Sequence, residues 1–368
     1  MDKVKKLIVK YNNKHVGYLV DLDNSRIAFQ YDDEWIENGF SISPFSLPLS
    51  TKIYENEKDY FSGLYGVFSD SLPDGWGELL VRRMLAKKGI NPDRVSPLTK
   101  LTLVSGNGLG ALMYEPCQTA KSDNTEFDLD VIAEESRKIL EDEGGNVDLD
   151  KIFEFGGSSG GARPKAHIKI NNEYWIVKFP SSFDTKNIGE NEFQANQLAK
   201  KCGINVNEFR LFNSKKHTGY FGAKRFDREN IKKIHMISLS SLLETTHRIP
   251  SLDYLHLFQV IQKICVDQED MYEAYRRMCF NVLYGNKDDH GKNFAFLYDE
   301  NLRGYKLSPA YDITKTPNKT EHEMTVNGAG IPKENDLLEV AKIMKLSLEK
   351  CKTIIAKIKK VLKDNLKS

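Results

Sequence analysis

The stretch NVLYGNKDDHGKN, residues 281–293, restricts this chain more than any other. It sets Asp288 five residues ahead of Asn293 in a polar loop that contains glycine. An amphipathic run, MYEAYRRMCFNVLYG, precedes it, and an alternating apolar run, NFAFLYD, follows. Nineteen residues past Asn293 stands Asp312, within SPAYDIT. Two short strands at 294–298 and 304–307, turning at 299–303, fit that gap. Such a hairpin would draw Asn293 and Asp312 together. An amide carbonyl and a carboxylate are the oxygen ligands that a hard cation such as Mg²⁺ takes. A further carboxylate, Asp288, can orient a hydroxyl nucleophile and accept its proton. Loops rich in Asp, Asn and Gly also mark ordinary turns, so the rest of the chain must give this one its meaning.

An Asp, an Asn five residues on, and a second Asp beyond a hairpin is the order in which protein kinases place their base and metal ligands. Composition allows such an enzyme. At 368 residues the chain can hold two or three domains. Lys+Arg 53 against Asp+Glu 52 leaves no global field for nucleic acid or membrane. The five cysteines are scattered and form no C-x-x-C pair, which argues against a zinc site or disulfide scaffold and suits a reducing cytosol. The start, MDKVKKLIVKYNNK, has no long apolar core of a signal peptide, and no apolar run approaches a membrane span. A cytoplasmic α+β protein is expected.

Residues 5–31 read as a meander of three strands, with Asn-Asn and Asp-Asn at the turns. A Pro73-Asp74-Gly75 turn then leads into a helix over 76–88. SGNGLGALMYEP carries three glycines but not the G-x-G-x-x-G spacing, and reads as a structural turn into a strand at 111–114. CQTAKSDNTE, 117–126, reads as a linker, so a first domain is placed at 1–120. A helix at 127–143 follows.

EFGGSSGGARPKAHIKI holds the second informative pattern. Gly156, Gly157, Gly160 and Gly161 flank Ser158 and Ser159, and glycine lets backbone N–H groups turn toward an anion. It is not a Walker A loop, because Ala162-Arg163 stands where Lys-Ser/Thr belongs. A flexible linker is the plain alternative. The position argues otherwise. The loop runs into strands at 165–170 and 174–179, with Lys178 inside the second, which is the layout of a kinase small lobe at 121–230. Lys178 would reach nucleotide phosphates, or else snorkel to water. Glu192, with Glu190 as rival, is the candidate acidic partner on the next helix. The backbone at Lys224–Phe226 would pass beside an adenine. Residues 231–368 read as an α-rich large lobe, in which His256 is core or surface rather than a ligand. Its last helix carries an apolar stripe of Leu348, Cys351, Ile355, Ile358 and Leu362 for packing.

Together, FSDSLPDGWGELLVRRML, LGALMYEP, GGSSGGARPKA, WIVKFP, KRFDR, NKDDHGKN and SPAYDIT resemble the HipA-like toxin kinases of bacterial toxin–antitoxin modules, in family order and over almost the whole chain. The resemblance implies a two-lobed, ATP- and Mg²⁺-dependent serine/threonine kinase with a small β-rich N-terminal domain packed on it. It implies a helix-turn-helix antitoxin partner, HipB-like, through which DNA is met only indirectly. It also implies autophosphorylation of a loop serine that switches the enzyme off, and a target such as an aminoacyl-tRNA synthetase. Carried over by position, Asp288 matches the base, Asn293 and Asp312 the metal ligands, and Lys178 the phosphate-binding lysine. Ser158 matches the autophosphorylated serine, with Ser159 beside it left open. Gly157, Gly160, Gly161, Lys165, Lys224, Phe226 and His290 complete the expected nucleotide site. The spacing favours Asp288 over Asp289, and the H-R-D of other protein kinases is missing. A small-molecule phosphotransferase would use the same residues. A catalytically idle co-repressor would have no reason to keep Asp288, Asn293, Asp312 and Lys178 together.

Overall fold

A computed structural model describes residues 3–22, 26–57, 60–104, 108–118, 127–142, 148–157, 161–182, 184–230, 232–246 and 248–366. The chain forms two compact units. The first takes residues 1–190, 209–237 and 241–244, and the second takes 191–208, 238–240 and 245–368.

The first unit opens with five antiparallel strands, β1 (Lys6–Tyr11), β2 (Lys14–Asp21), β3 (Ile27–Tyr31), β4 (Tyr54–Glu55) and β5 (Leu112–Glu115). Their order is β4-β3-β2-β1-β5, so the expected meander is present and gains a strand at each edge. Tyr11 pairs with Lys14, which leaves Asn12-Asn13 as a two-residue turn with φ of 44° and 70°. A type I′ turn needs positive φ at both positions, and Asn tolerates it better than most residues with a side chain.

A second sheet contains β6 (Lys165–Ile170), β7 (Glu173–Lys178), β8 (Phe209–Phe212) and β9 (Tyr220–Lys224), in the order β6-β7-β9-β8. Asn171-Asn172 turns β6 into β7 by the same device, at φ of 50° and 65°. Alternation then puts Ala166, Ile168, Trp175 and Val177 on a buried face and Lys165 and Lys178 on the other. The helices Trp76–Lys87 and Leu149–Gly156 contribute Trp76, Leu80, Ile152 and Phe155 to the core on the buried face. The module expected at 1–120 and the sheet expected at 121–230 thus share one core within the first unit.

Residues 108–110 form a structural turn, as their spacing suggested. The Gly110 amide donates to Asp227 Oδ2 at 2.7 Å. Arg225 and Arg228 donate to the Gly108 carbonyl at 2.8 and 2.9 Å, and Arg228 also to the Gly110 carbonyl at 2.8 Å. Burial works to raise the Asp227 carboxyl, but the two guanidiniums and the Gly110 amide hold it well below the usual carboxylate range.

In the second unit the helix Glu269–Tyr284 is buried on nearly every face. Its polar residues are therefore paired: Arg277 donates to Glu273 Oε1 at 2.8 Å and to the Ser308 carbonyl at 2.6 Å. The helices Tyr254–Ile264, Glu334–Ile343 and Leu348–Asn365 pack against it. Cys351, Ile355, Ile358 and Leu362 form the buried stripe expected of the last helix, whereas Leu348 is exposed. His256 caps the Tyr254–Ile264 helix, its Nδ1 accepting the Asp253 amide at 2.9 Å. The boundary between the units falls inside the helix Ile188–Lys201. Among the described residues no helix is long and apolar enough to cross a membrane.

Candidate active site

The loop that bears Asp288 starts where the helix Glu269–Tyr284 must stop. Gly285 takes φ of 84° and its amide closes on the Asn281 carbonyl. The chain leaves through a 3-10 turn, Gly291–Asn293, into a hairpin of Ala295–Asp299 and Gly304–Leu307. The Asn293 amide N–H donates to the His290 carbonyl at 2.8 Å, and its side-chain NH₂ donates to the Asp288 carbonyl at 2.6 Å. That second bond engages the amide nitrogen, and the Asn293 side-chain oxygen is the kind of atom that could serve a hard cation.

The hairpin returns the chain beside this loop. Ser308 N donates to the Ala295 carbonyl at 2.9 Å, and the Tyr311 hydroxyl donates to the Lys292 carbonyl at 2.5 Å. Tyr311 and Lys292 are the neighbours of Asp312 and Asn293, so the two candidate metal ligands lie on the segments that enter and leave the hairpin, which this bond ties together. Asn293, Tyr311 and Ile313 line one small cleft. Asp312 itself sits at φ of 53°, a left-handed conformation that Asp adopts more readily than most residues but still at a cost.

The two adjacent aspartates do different work. Asp289 is buried, and both its oxygens are engaged. Oδ2 accepts from the Tyr254 hydroxyl and from His322 Nδ1, each at 2.8 Å, and Oδ1 accepts the Glu323 amide at 3.0 Å. Tyr254 in turn accepts from Asn281 at 2.9 Å. Asp288 is half-exposed, and Lys319 Nζ donates to its Oδ1 at 2.6 Å. Burial works to lower the Lys319 ammonium, yet its bonds to Asp288 and Glu323 hold it above its ordinary value. Asp289 anchors the loop, and Asp288 presents a carboxylate at its surface.

The first unit holds the remaining candidates. Lys165 and Lys178 are direct cross-strand partners on the solvent-facing side of β6 and β7. Two ammoniums in that register present positive charge that an anion could meet. A Cβ placed on Gly161 would sit 2.7 Å from Lys165 Nζ, so this ammonium lies directly over the end of the glycine-rich loop. Lys178 also lies over the Phe221 ring, 5.8 Å from its centroid.

The loop itself departs from the sequence reading. Gly156 is the last residue of a helix, and Gly157 caps it, donating its amide to the Phe153 carbonyl at 2.8 Å. The Gly157 N–H therefore belongs to the helix end and is not turned toward a ligand. Ser158, Ser159 and Gly160 lie outside the described residues. Arg163, which follows the loop, is held by Asp184 through Nε at 3.1 Å and Nη2 at 3.0 Å. Burial works against the Asp184 charge, but Ser181 and Arg163 hold its carboxyl below the ordinary value.

Lys224 and Phe226 were expected beside an adenine. The Arg225 amide between them donates to the Tyr174 carbonyl at 2.7 Å, and the Lys224 ammonium pairs with Glu173, so both groups serve the sheet. Glu192 is buried in the helix Ile188–Lys201, while Glu190 is half-buried. A buried carboxylate needs a partner, as the residue chosen to face a lysine would.

Sequence reasoning assigned no site role to the Pro73-Asp74-Gly75 turn. Asp74 Oδ1 accepts the Gly161 amide, Trp76 N donates to the Gly161 carbonyl at 2.8 Å, and a Cβ on Gly75 would meet that carbonyl oxygen at 2.4 Å. At the other end of the loop a Cβ on Gly156 would lie 2.6 Å from the Trp76 indole nitrogen. One turn thus grips both stems of the glycine-rich loop.

Residues 7–115 match the model of the HipA N-terminal domain, and residues 157–366 match that of the HipA-like C-terminal domain. Y4dM of Sinorhizobium fredii, which carries the name of a kinase, is 28% identical over 346 residues, covering 88% of this chain and 80% of that protein. The serine/threonine-protein kinase CtkA of Helicobacter pylori is 26% identical over 175 residues, 43% of this chain and 50% of that one. A chain in the solved complex of Shewanella oneidensis HipA, HipB and operator DNA superposes with a TM-score of 0.72 at 20% identity, over 97% of this chain and 89% of that one.

Proposed function

The chain belongs to the HipA family, and from that premise we propose that it is an ATP- and magnesium-dependent serine/threonine protein kinase, the toxin of a toxin–antitoxin pair. The observation that carries this reading is the division of labour in the Asp288–Asn293 loop. Its buried aspartate is consumed by the fold, its half-exposed aspartate is presented, and its Asn amide nitrogen is engaged by the loop backbone, which supports a ligand role for the Asn oxygen.

The donor set fits the group. Asn293 and Asp312 would hold Mg²⁺ with oxygen atoms, and the Lys165–Lys178 pair would receive phosphates. Bound magnesium ATP would supply the γ-phosphoryl group and neutralise its charge in transit. Asp288 would orient the acceptor hydroxyl and take its proton. Asp74, Gly75 and Trp76 would hold the two stems of the glycine-rich loop at Gly156 and Gly161.

Ser158, or Ser159 beside it, is the proposed site of autophosphorylation. A phosphate there would add about −1.5 to −2 charges to the glycine-rich loop, and so would compete with the phosphates of a nucleotide. A helix-turn-helix antitoxin is the proposed partner, in keeping with the HipB present in the Shewanella complex. A translation component such as an aminoacyl-tRNA synthetase is the proposed target.

The test is Asp288→Asn. It should abolish transfer of labelled phosphate, including the added mass on the 157–165 peptide, while a fluorescent ATP analogue still binds. Labelling at the unsubstituted rate would refute the assignment of the base. Phosphoproteomics after induction, with the Asp288→Asn protein as control, would name the target.

A further inference from the structure

Lys319 lies seven residues beyond Asp312 in TKTPNKTEHE, a stretch to which sequence reasoning gave no role. In the second unit this stretch is laid along the loop that bears Asp288. Thr316 N donates to the Gly285 carbonyl at 3.1 Å, and the Thr316 hydroxyl accepts the Lys287 amide at 2.7 Å. Lys287 Nζ donates to the carbonyls of Lys319 and Thr320 at 2.8 and 3.2 Å. The Glu323 amide is shared by the Lys287 carbonyl at 3.2 Å and Asp289 Oδ1 at 3.0 Å. Backbone bonds therefore set the register on both sides of Lys319, and its side chain is delivered to one place. There its ammonium is 2.6 Å from Asp288 Oδ1 and 2.6 Å from Glu323 Oε1.

The pair is accessible as well as fixed. The Lys319 and Asp288 side chains are 36% and 40% exposed, so water screens their attraction and the contact adds little to folding stability. A contact of this kind is free to serve chemistry. We propose that Lys319 is a positioning residue for phosphoryl transfer, holding the Asp288 carboxylate by Oδ1 so that Oδ2 meets the acceptor hydroxyl.

This rests on Asp288 being the base. When the hydroxyl O–H bond breaks, the proton would go to Oδ2 and the bonding pair would stay on the oxygen, which forms the new bond to the γ-phosphorus while the bond from that phosphorus to the bridging oxygen breaks and its electron pair leaves with ADP. Asp288 becomes neutral, and Lys319 remains balanced by Glu323, so the ammonium does not have to move during the step. Orientation of a reacting group within a few tenths of an ångström is worth large factors in rate, which a free carboxylate rotor forfeits.

The experiment compares Lys319→Met, Lys319→Arg, Asp288→Asn and the double variant Asp288→Asn with Lys319→Met. Self-labelling from radioactive ATP gives the rate, a fluorescent ATP analogue gives nucleotide affinity, and thermal unfolding checks the fold. Lys319→Met should slow labelling by about 10- to 100-fold, within the span of a general-base contribution, and leave nucleotide affinity unchanged. Lys319→Arg should restore most of the rate, and Lys319→Met should add nothing in the Asp288→Asn background. Labelling by Lys319→Met at the unsubstituted rate would overturn the proposal, as would a folded Lys319→Arg as slow as Lys319→Met. Full labelling by Asp288→Asn would instead overturn the base assignment itself. If Lys319→Met loses its fold, the Lys319→Arg and Lys319→Gln rates decide in its place: Arg fast with Gln slow supports the proposal, and Gln as fast as Arg sinks it.

Discussion

Asp288 and Asp289 stand side by side, and replacing each by Asn should do opposite things. Asp288→Asn should remove activity and leave stability nearly intact, since its carboxylate is half-exposed. Asp289→Asn should cost about 1–3 kcal/mol, because it replaces a carboxylate that accepts three buried hydrogen bonds with an amide whose NH₂ cannot accept them. Thermal unfolding and labelling rates, measured on the same samples, separate the two. Residue chemistry also sets an acid limit. Burial pushes His235 down to about 4, and its Nε2 lies 2.9 Å from the Ile42 carbonyl. His167 is held well below its ordinary value by burial and by the Arg225 guanidinium. Below pH 6.5 the unfolded chain takes up protons that these folded histidines refuse. Stability therefore falls as pH drops from about 6.5 toward 4, by about 3 kcal/mol from His235 alone. Unfolding midpoints measured between pH 7 and 4.5 should decline, and His235→Gln should flatten that decline. A pH-independent midpoint would contradict the neutral burial of His235.

Secondary structure was legible wherever local chemistry decided it. Alternating strands joined by Asn12-Asn13 and Asn171-Asn172 announce two-residue hairpins, and the alternating pattern of NFAFLYD announces the strand Ala295–Asp299 that carries the chain away from Asn293. The helix Leu149–Gly156 was not legible. It spans two turns, too few for its period to stand out, and it ends in the glycine pair that reads as open loop. The grip on that loop was hidden as well, because Asp74 and Gly161 are 87 residues apart and no local pattern joins them. Lys319 and Asp288 illustrate the same limit at a separation of 31 residues. Gly75 should be the most sensitive position of the turn. It sits at φ of 49° with a carbonyl oxygen 2.4 Å from where a Cβ would go. Gly75→Ala should cost about 1–3 kcal/mol in backbone strain alone and should also displace Gly161. Asp74→Ala, which keeps the backbone path, should weaken nucleotide binding with a smaller change in unfolding temperature. Binding unchanged in Asp74→Ala would remove the turn from the site.

At the scale of the molecule, the sequence reading divided the chain at residues 120 and 230, from composition and motif order. The folded chain groups differently: the front sheet and the sheet bearing Lys178 belong to one compact unit. Composition shifts along a chain report where polar stretches lie, and they do not report which apolar faces meet. Trp76 and Leu80 from the front module and Trp175 and Val177 from the second sheet lie in one core, and Arg225, Asp227 and Arg228 clasp the 108–110 turn from the other side. Cutting the chain between residues 118 and 127 should leave two pieces that copurify and unfold together, whereas two separable peaks would deny the shared core. The same arrangement restricts how such a gene can change. Loss of either half would bare the apolar face that Trp76 and Leu80 now share with Trp175 and Val177.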